Sequence, residues 1–544
     1  MSPAEEQTPD APDAPDASKG AAASPPQSDY LTTIAALQPD KAAVIDDRPG
    51  MPLVRWTYRE LEANANRLAS ALLAHGVAPG EGVIWCGQNS PWVVAMTHAS
   101  RKAGFVAVPL NYRLSPEEAA YVIDDSDAVF VWVDAEFAPL IAQIRGEIPK
   151  VRTVAVFEHD PSADLPAATI TAEQLLAGAP DDPLPPPRDE SRTMIYTSGT
   201  TGQPKGAVRT GTGDPEQRQA MFQLIGYRPD DVYITTGPLY HSGPGGFMGI
   251  AYLHGQTVVV QRRFDPEDWL RLVETHGATS TFAAPTPIRR ICSLPSEVKS
   301  RYDCSSMRVM VANAAPWPFA LKQAYLADFP ADSLWEVYGS TELGVNMILG
   351  PADQLQRPGS CGRPAPLVDV KLIAEDGSEV TEPGVPGEVF VRSRSVFDTY
   401  HKAQEKYDAE TLGEFHTVGD IAYRDADGFY YICDRKKDMI ISGGVNIYPA
   451  EIEAALESHP AIYEAAVFGI PSDEWGELVH AEVVRVPGSD LDAEAVAAFA
   501  REHLASYKVP RSIAFTGELP KTGSGKVLKR QLRDPYWKDA GRAL

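Results

Sequence analysis

Short, continuously apolar runs alternate with helical segments near the start of this 544-residue chain. The runs at 82–86, 105–110 and 128–133 have the length of strands and lack polar alternation, as expected of strands covered on both faces. Before the first run, Thr57 and Glu60 have the spacing of a capping box, which begins a helix. Because parallel strands need crossover helices, the alternation predicts an α/β fold with mixed, largely parallel, covered sheets.

The later part of the chain changes composition twice. Between 362 and 431, glycine and proline become frequent and strand-like runs such as 368–373 appear, which predicts a β-rich subdomain that completes a large domain. The charged stretch 434–438 then precedes a compact unit of helical and strand-like segments, which predicts a small α+β domain. The expected organisation is a disordered tail at 1–28, a large domain at 29–434, a hinge at 435–437 and a small C-terminal domain at 438–544. The tail is expected to be disordered because its Ala, Pro, Asp and Ser residues bury too little apolar surface.

Composition and charge argue against several classes of function. The chain has 49 basic and 74 acidic residues, a net charge of −25, which disfavours generic binding to nucleic acids or anionic membranes. No apolar run continues uninterrupted for the length of a membrane span, and the acidic, proline-rich start differs from a secretory signal. The five cysteines are scattered without a C-x-x-C pair. A cytoplasmic protein with small-molecule partners is therefore expected.

A loop rich in glycine and hydroxyl side chains follows a strand-like run at 194–208 (MIYTSGTTGQPKGAV). Glycine lets backbone N–H groups approach an anion, hydroxyls add donors, and Lys205 adds a positive charge for phosphate oxygens. A Walker loop beginning at Gly199 would need Gly and then Ser or Thr around this lysine, but the chain has Pro204 and Gly206. The loop is therefore interpreted as a polyphosphate site of another kind. Its candidate ligands are Thr197, Ser198, Gly199, Thr200, Thr201, Gly202 and Lys205.

Two later turns combine small residues with an aromatic ring, hydroxyls and a carboxylate. The turn at 313–316 (NAAP) is small enough for its backbone to approach a flat ring, and 338–342 (YGSTE) follows a strand-like run. Ligands of parallel sheets bind at the carboxyl ends of the strands, where both turns are expected to lie. A carboxylate beside phosphate oxygens suits Mg²⁺, which prefers oxygen ligands. The candidates are Asn313, Ala314, Ala315, Pro316, Tyr338, Gly339, Ser340, Thr341 and Glu342, the last also for the metal.

In sequence and order, these motifs resemble those of the adenylate-forming (ANL) superfamily, in its acyl-CoA synthetase or AMP-dependent ligase branch. The loop at 194–208 matches the superfamily's signature almost residue for residue, and the resemblance covers nearly the whole chain from about residue 29. It implies an acid–thiol ligase that uses ATP, Mg²⁺ and coenzyme A. A carboxylate attacks the α-phosphorus to give acyl-AMP and pyrophosphate, and the CoA thiol then takes the acyl group. Rotation of a small, mobile C-terminal domain between the two steps is also implied.

The resemblance assigns a role to each motif. Tyr338 stacks on adenine, Thr341 meets the α-phosphate, and Glu342 helps to hold Mg²⁺. Lys526, in the run 519–526 (LPKTGSGK), bridges the substrate carboxylate and the α-phosphate. The other implied roles are nucleotide contacts by Asp420 and Arg435, a hinge at Lys437, a pantetheine tunnel beside Ser442, Gly443 and Gly444, and a substrate pocket lined by His241, Gly243, Gly245, Gly246 and Gly339. The implied catalytic residues are Lys526, Thr341, Glu342 and His241.

Several alternatives remain open from the sequence. The acyl group could pass to a carrier protein instead of CoA, or the chain could perform only one half-reaction. A non-catalytic nucleotide-binding scaffold is a third alternative, which is disfavoured because a scaffold has little need for all of the polar candidates. Those residues are Lys205, Glu342, Asp420 and Lys526. The acid is undetermined, since fatty, aryl and bulky polycyclic acids all fit the motifs, and a homodimer is left open.

Overall fold

The structure is a computed structural model that describes residues 29–197, 204–315, 317–443, 445–472, 474–521 and 527–538. The tail predicted at 1–28 lies outside the described residues. The same is true of the candidate site residues Ser198, Gly199, Thr200, Thr201, Gly202, Pro316, Gly444 and Lys526.

Many helices begin where the sequence supplies a cap. Thr57 and Glu60 form the predicted capping box, and Ser115 and Thr171 begin two further helices in the same way. The α-helices are α1 (Tyr30–Leu37), α2 (Tyr58–Ala74), α3 (Pro91–Ala103), α4 (Pro116–Asp125), α5 (Ala138–Gln143), α6 (Ala172–Leu176), α7 (Pro215–Ile225), α8 (Ser242–Leu253), α9 (Pro266–His276), α10 (Pro285–Cys292), α11 (Ser296–Lys299), α12 (Phe319–Asp328), α13 (Gln404–Ala409), α14 (Pro449–Glu457), α15 (Ala493–His503) and α16 (Lys529–Trp537). Short 3₁₀ turns lie at Ala135–Phe137 and Pro351–Asp353.

The strands include the three apolar runs near the start of the chain, which form β3, β4 and β5. In chain order, the strands are β1 (Ala42–Asp46), β2 (Val54–Thr57), β3 (Gly82–Cys86), β4 (Val106–Pro109), β5 (Ala128–Asp134), β6 (Thr153–Phe157), β7 (Ile170–Thr171), β8 (Arg192–Thr197), β9 (Lys205–Thr210), β10 (Val232–Thr235), β11 (Thr257–Val259), β12 (Ser280–Ala283), β13 (Val309–Ala312), β14 (Leu334–Ser340), β15 (Gly344–Leu349), β16 (Arg363–Pro364), β17 (Asp369–Ile373), β18 (Gly387–Arg392), β19 (Thr399–Tyr400), β20 (Thr411–Leu412), β21 (Phe415–His416), β22 (Asp420–Arg424), β23 (Tyr430–Arg435), β24 (Ile440–Ser442), β25 (Val445–Ile447), β26 (Ile462–Ser472), β27 (Gly476–Arg485) and β28 (Ser512–Thr516).

Two large sheets hold the site. The first has the strand order β19-β9-β8-β4-β3-β5-β6-β7, and the second has the order β16-β15-β14-β13-β12-β10-β11-β1-β2. The pairs from β8 to β7 in the first sheet and from β14 to β1 in the second are parallel, and antiparallel pairs complete the edges. The central strands β3 and β5 are buried along almost their whole length, as their apolar runs predict. The predicted fold class is confirmed.

Two smaller sheets follow. One is antiparallel, with the order β20-β21-β18-β22-β23 and with β17 beside β18, and it forms the predicted β-rich region. The other has the order β25-β24-β27-β26, and β28 runs parallel to β27. This C-terminal sheet has a hydrophobic core of its own, to which Ile452, Val467 and Val496 belong. The boundaries of the domains stay a prediction.

Across the described ranges, no helix is both long and apolar enough to cross a bilayer.

Candidate active site

The two large sheets meet at their carboxyl edges. Thr197 ends β8 in the first sheet, and Glu342 follows β14 in the second. Thr197 Oγ1 donates a hydrogen bond of 3.0 Å to Glu342 Oε1, although the two residues lie 145 positions apart. The Tyr400 hydroxyl donates to the same carboxylate oxygen at 3.3 Å. Because ligands of α/β sheets bind at this edge, the junction marks the candidate site.

A cavity of about 790 Å³ opens at this junction, which is the size of a small-molecule site. The predicted residues that line it are Thr197, His241, Gly243, Gly245, Gly246, Asn313, Ala314, Gly339, Ser340, Thr341, Glu342 and Arg435. The predicted residues that are described but do not line it are Lys205, Ala315, Tyr338, Asp420, Lys437, Ser442 and Gly443.

Asp420 is held by two other predicted residues, Tyr338 and Arg435. The Tyr338 hydroxyl donates to Asp420 Oδ2 at 2.6 Å, and Arg435 Nε lies 3.2 Å from Oδ1. The antiparallel register of β22 and β23 places Asp420 directly opposite Arg435. Burial and the nearby carboxylate raise the pKa of Tyr338, so its hydroxyl keeps the proton that it donates. The structure thus brings three predicted nucleotide contacts together, and Val418, two residues before Asp420, lines the cavity.

Arg209 is a site residue that sequence reasoning missed. It lies in β9, and its Nη2 donates to the carbonyl oxygen of Thr341 at 2.8 Å, while its Nη1 donates to that of Ser395. The hydroxyl oxygens of Ser242 and Thr341 also lie within hydrogen-bond distance, at 2.7 Å. Arg209 therefore fixes the backbone of the turn that carries Thr341. A lone arginine in a strand belongs to no motif, so no sequence signal indicated this contact.

The cavity is basic although the chain is acidic overall. The cations in its lining are Arg101, Arg113, Arg209, Arg218, Arg290, Arg435, Lys406 and Lys521. The acidic residues in its lining are Asp214, Glu342 and Glu410. Burial and the charge of Lys406 lower the pKa of Lys205, which therefore lies close to the same wall. In a chain of net charge −25, this local excess of positive charge favours anionic substrates such as polyphosphates and carboxylates.

His241 lines the cavity as a neutral side chain. Burial, and to a smaller extent the charge of Arg113, lower the pKa of His241 from 6.5 to about 4. Within the part of the chain that the structure describes, its Nε2 has no hydrogen-bond partner. A neutral imidazole with an unused nitrogen can form one hydrogen bond with a ligand in the cavity.

We expect His241 to make the protein less stable in acid. The unfolded chain takes up a proton on this residue below about pH 6.5, whereas the folded chain does so only near pH 4. The stability that the protein has above pH 6.5, where His241 is neutral in both the folded and the unfolded chain, is therefore lost progressively as the pH falls toward 4. At about pH 5, the wild type should lose roughly 2 kcal/mol more than His241→Gln, relative to about pH 7.5. Urea unfolding at the two pH values measures this, and equal losses in both proteins would contradict it.

The three glycines predicted to open the pocket differ in their surroundings. A Cβ at Gly243 would lie 2.4 Å from the Phe282 ring, and one at Gly245 would lie 2.5 Å from the Leu239 carbonyl oxygen. A Cβ at Gly246 would meet no described atom within 4 Å. Gly243 and Gly245 thus allow close packing at the start of α8, whereas Gly246 leaves room in the cavity.

We expect Gly245→Ala to lower the free energy of unfolding by about 1–3 kcal/mol, because the new methyl group would collide with backbone that cannot move aside. Gly246→Ala is the matched control. It should be neutral or slightly stabilising, since alanine favours a helix over glycine and the space beside it is open. Urea unfolding of both variants tests the difference, and a loss of the same size in both would refute it.

Two parts of the C-terminal unit take different positions relative to the cavity. Lys521 lines the cavity and forms an antiparallel bridge with Val527. These are the described residues on either side of Lys526. Ser442 and Gly443 lie at the turn between β24 and β25 and are not part of the lining. The arrangement brings Lys521 to the cavity, and not Ser442 or Gly443.

Glu342 is suited to a metal that arrives with a nucleotide. It is 9% exposed at the cavity wall, and of its two carboxylate oxygens only Oε1 accepts hydrogen bonds from described residues. No group of three or more His, Cys, Asp or Glu side chains in the described ranges could hold a metal by itself. Mg²⁺ commonly binds through one or two carboxylates together with phosphate oxygens and water. The residues present therefore fit a Mg²⁺ bound mainly by phosphates.

The sequence matches two family descriptions that agree with this site. The AMP-binding enzyme family matches residues 31–401, and the AMP-binding enzyme C-terminal domain matches residues 451–526. The chain therefore belongs to the AMP-binding enzyme family, and the predicted adenylate-forming class is confirmed. The predicted activity, that of an ATP-dependent acyl-CoA synthetase or AMP-forming acid–thiol ligase, is confirmed with it.

Characterised relatives resemble the chain over most of its length. A feruloyl-CoA synthase of Amycolatopsis sp is 36% identical over 484 residues, which are 88% of this chain and 93% of the relative. The fatty acid–[acyl-carrier-protein] ligase ScoC of Streptomyces coeruleorubidus is 33% identical over 500 residues, 90% of this chain and 93% of the relative. The solved structure of the anthranilate CoA ligase AuaEII with anthranoyl-AMP has a TM-score of 0.85 at 27% identity and covers 94% of this chain and 98% of its own. The roles of individual site residues stay predictions.

Proposed function

We propose that the cavity binds ATP and a carboxylic acid together and that the same chain performs both half-reactions, ending with transfer to the CoA thiol. The observation that carries the proposal is the hydrogen bond of 3.0 Å between Thr197 and Glu342. It joins the strand before the phosphate loop to the YGSTE turn of the other sheet. One nucleotide can contact both motifs only if they meet in this way, and such positioning of reactants accounts for much of catalysis.

In the proposed first half-reaction, a carboxylate oxygen attacks the α-phosphorus of ATP, and the bond from that phosphorus to the pyrophosphate oxygen breaks. The turn at Thr341, fixed by Arg209, positions the α-phosphate. Lys205 binds the departing pyrophosphate, and Asp420 accepts hydrogen bonds from the ribose hydroxyls. When Mg²⁺ is bound, Glu342 would hold it with phosphate oxygens, and it would neutralise phosphate charge.

In the proposed second half-reaction, the CoA thiol attacks the acyl carbonyl carbon and AMP leaves. We propose that the C-terminal unit pivots at Lys437, so that Ser442 and Gly443 reach the cavity. Support comes from the hairpin that carries them, where Ile441 is 49% exposed and Val445 is 45% exposed. Exposed apolar side chains favour burial against another surface, which the rotation would supply within the same chain.

A carrier protein is the second candidate for the acyl acceptor. The relative ScoC, at 33% identity, is named as a ligase that uses an acyl-carrier protein. A competition experiment, in which CoA and a carrier protein are offered the same acyl-adenylate, distinguishes the two acceptors. The thioester of the preferred acceptor will accumulate.

We place the reaction in the cytoplasm. The five cysteines are all free thiols in the structure, and burial raises the pKa of Cys86 and Cys361. Buried, unpaired thiols are typical of proteins from a reducing compartment.

A screen of carboxylic acids with ATP and CoA tests the proposed function. Mass spectrometry should detect AMP, pyrophosphate and one acyl-CoA in equal amounts, and only when acid, ATP and CoA are all present. Formation of ADP, or an acyl-adenylate that never reaches CoA in any reaction, would contradict the complete two-step reaction. Glu342→Gln serves as the matched inactive control, since it keeps the size of the side chain and removes the charge.

A further inference from the structure

The cavity continues well beyond the predicted reaction centre. It follows α8, whose first residue, Ser242, lies 2.7 Å from Thr341 through their hydroxyl oxygens. Gly249 also lines the cavity and lies seven residues further along the helix, so it is roughly 10 Å from the reaction centre. Phe247 and Met248 line the stretch between them with apolar surface. A substrate that fills the cavity therefore has an apolar middle and a far end near Gly249.

Two arginines lie at this far end. Arg101 comes from α3, and its Nη2 would be 3.8 Å from a Cβ placed on Gly249. Arg218 comes from α7, and both arginines line the cavity. Phe222, one turn after Arg218 on α7, packs against His254 directly after α8, with 4.0 Å between the ring centres. The charges of both arginines also lower the pKa of Tyr30, in agreement with this placement. The far end therefore combines two positive charges from two different helices.

Neither arginine has an acidic partner among the described residues. No carboxylate oxygen in the described ranges lies within 4.0 Å of either guanidinium. Arg101 Nη1 donates to the Tyr30 hydroxyl, which is neutral because burial raises the pKa of Tyr30 to about 12. Arg218 Nη1 donates to the Thr212 carbonyl oxygen at 2.9 Å. Asp214, the acidic residue nearest in the chain, forms its ion pair with Arg394 at 3.4 Å and acts on Arg218 only from more than 4.0 Å away.

Some partly buried arginines elsewhere in the protein do have acidic partners. Arg262 pairs with Asp134 at 2.8 Å, and Arg308 pairs with Asp231 at 2.7 Å. A charge withdrawn from water without a partner is unfavourable, so two unpaired guanidinium groups on one cavity wall indicate that a ligand supplies the missing charge. Guanidinium groups recognise carboxylates through paired hydrogen bonds.

We infer that Arg101 and Arg218 bind a second carboxylate of the substrate, so that the enzyme activates dicarboxylic acids whose far carboxylate lies roughly 10 Å from the reacting one. The inference deepens the proposed function and rests on it. The two arginines act as specificity-determining residues, because they contact the end of the substrate that does not react.

A purely structural role for the arginines makes a different prediction. The Arg101 guanidinium also lies 5.3 Å from the centre of the Tyr30 ring and so contributes to packing. If packing were its whole role, its replacement would lower stability and the activity toward all acids equally. Recognition of a second carboxylate instead changes the ratio of activities toward acids that differ only at the far end.

The test compares dicarboxylic acids of graded length, aliphatic and aromatic, with their monomethyl esters. Hydroxylamine traps the acyl-adenylate, so the assay reports kcat/KM for the first step without CoA. The wild type should prefer the best diacid over its ester by about tenfold or more. Arg101→Leu and Arg218→Leu should each remove most of that preference, and Arg101→Lys should restore part of it. Arg59→Leu is the matched control, since Arg59 is 66% exposed and does not line the cavity.

Three outcomes overturn the inference. If the wild type activates monoesters or simple monocarboxylic acids as well as diacids, the second carboxylate is not recognised, although the proposed function stands. If the arginine variants keep the wild-type ratio of diacid to ester, the residues do not select the substrate. If no acid of any kind yields a hydroxamate, the proposed function fails, and the inference fails with it.

Discussion

Lys526→Ala is expected to lower the rate of acyl-AMP formation by about 10²–10³-fold or more, while thioester formation from supplied acyl-AMP stays close to that of the wild type. The lysine is predicted to bridge the substrate carboxylate and the α-phosphate. Both groups are negatively charged and must approach each other in the transition state, so a positive charge between them lowers the barrier. Lys521, five residues earlier in the same motif, lines the cavity, which supports this prediction. In the proposed second step, the C-terminal unit presents a different face to the cavity, so we expect this lysine not to be needed there.

Lys521→Ala is the matched control for that experiment. Its ammonium group lies 2.8 Å from Glu464 Oε2, so its charge is already partnered within the C-terminal unit. We expect a change of less than about tenfold in either step, as is usual for a partly exposed ion pair. Pyrophosphate exchange measures the first step, and CoA consumption with synthetic acyl-AMP measures the second. Equal loss of both steps in Lys526→Ala would contradict the use of two conformations.

Asp420→Ala is expected to lower kcat/KM for ATP by about 10²-fold or more, because two hydrogen bonds to a charged group are lost together. The carboxylate is also the partner of Tyr338 and Arg435, so its removal leaves a buried hydroxyl and a guanidinium without their acceptor. The effect should be confined to ATP, with little change in the KM for the acid. Steady-state kinetics with each substrate varied in turn measures it.

Tyr338→Phe distinguishes two roles of the Asp420 carboxylate, which are to hold the Tyr338 hydroxyl and to bind the ribose. The variant keeps an aromatic ring for adenine but removes the donor that lies 2.6 Å from Asp420. Its effect on kcat/KM for ATP should be clearly smaller, about tenfold, because Arg435 still holds the carboxylate. If Tyr338→Phe were as damaging as Asp420→Ala, the carboxylate would act by holding the tyrosine and not by binding ribose.

Features encoded within a short stretch of chain could be predicted from the sequence. The strands β3, β4 and β5 can be recognised from their own residues, because a strand covered on both faces needs apolar residues at almost every position. The capping box at Thr57 and Glu60 is likewise local. The cluster of Tyr338, Asp420 and Arg435 could be predicted only from the family resemblance. The register of β22 against β23 is the physical reason that Asp420 and Arg435 meet.

Contacts between distant parts of the chain could not be predicted. The bond from Thr197 to Glu342 depends on how two sheets pack, and nothing in either motif specifies it. The same holds for Arg209, whose backbone partner at Thr341 lies 132 positions away. Gly245 and Gly246 look alike in the sequence, yet only the packing against the Leu239 carbonyl oxygen distinguishes them. These features follow from tertiary packing, which overrides what a local pattern can indicate.

The transfer of oxygen from the acid to AMP tests the central claim most directly. The enzyme is supplied with a carboxylic acid labelled with heavy oxygen in both carboxylate positions, together with unlabelled ATP and CoA, and the phosphate products are analysed by mass spectrometry. Attack of the carboxylate on the α-phosphorus, with Thr341 and Lys526 at the reacting atoms, predicts one labelled oxygen in each AMP and none in pyrophosphate. Label in inorganic phosphate or pyrophosphate, or unlabelled AMP, would contradict the formation of an acyl-adenylate.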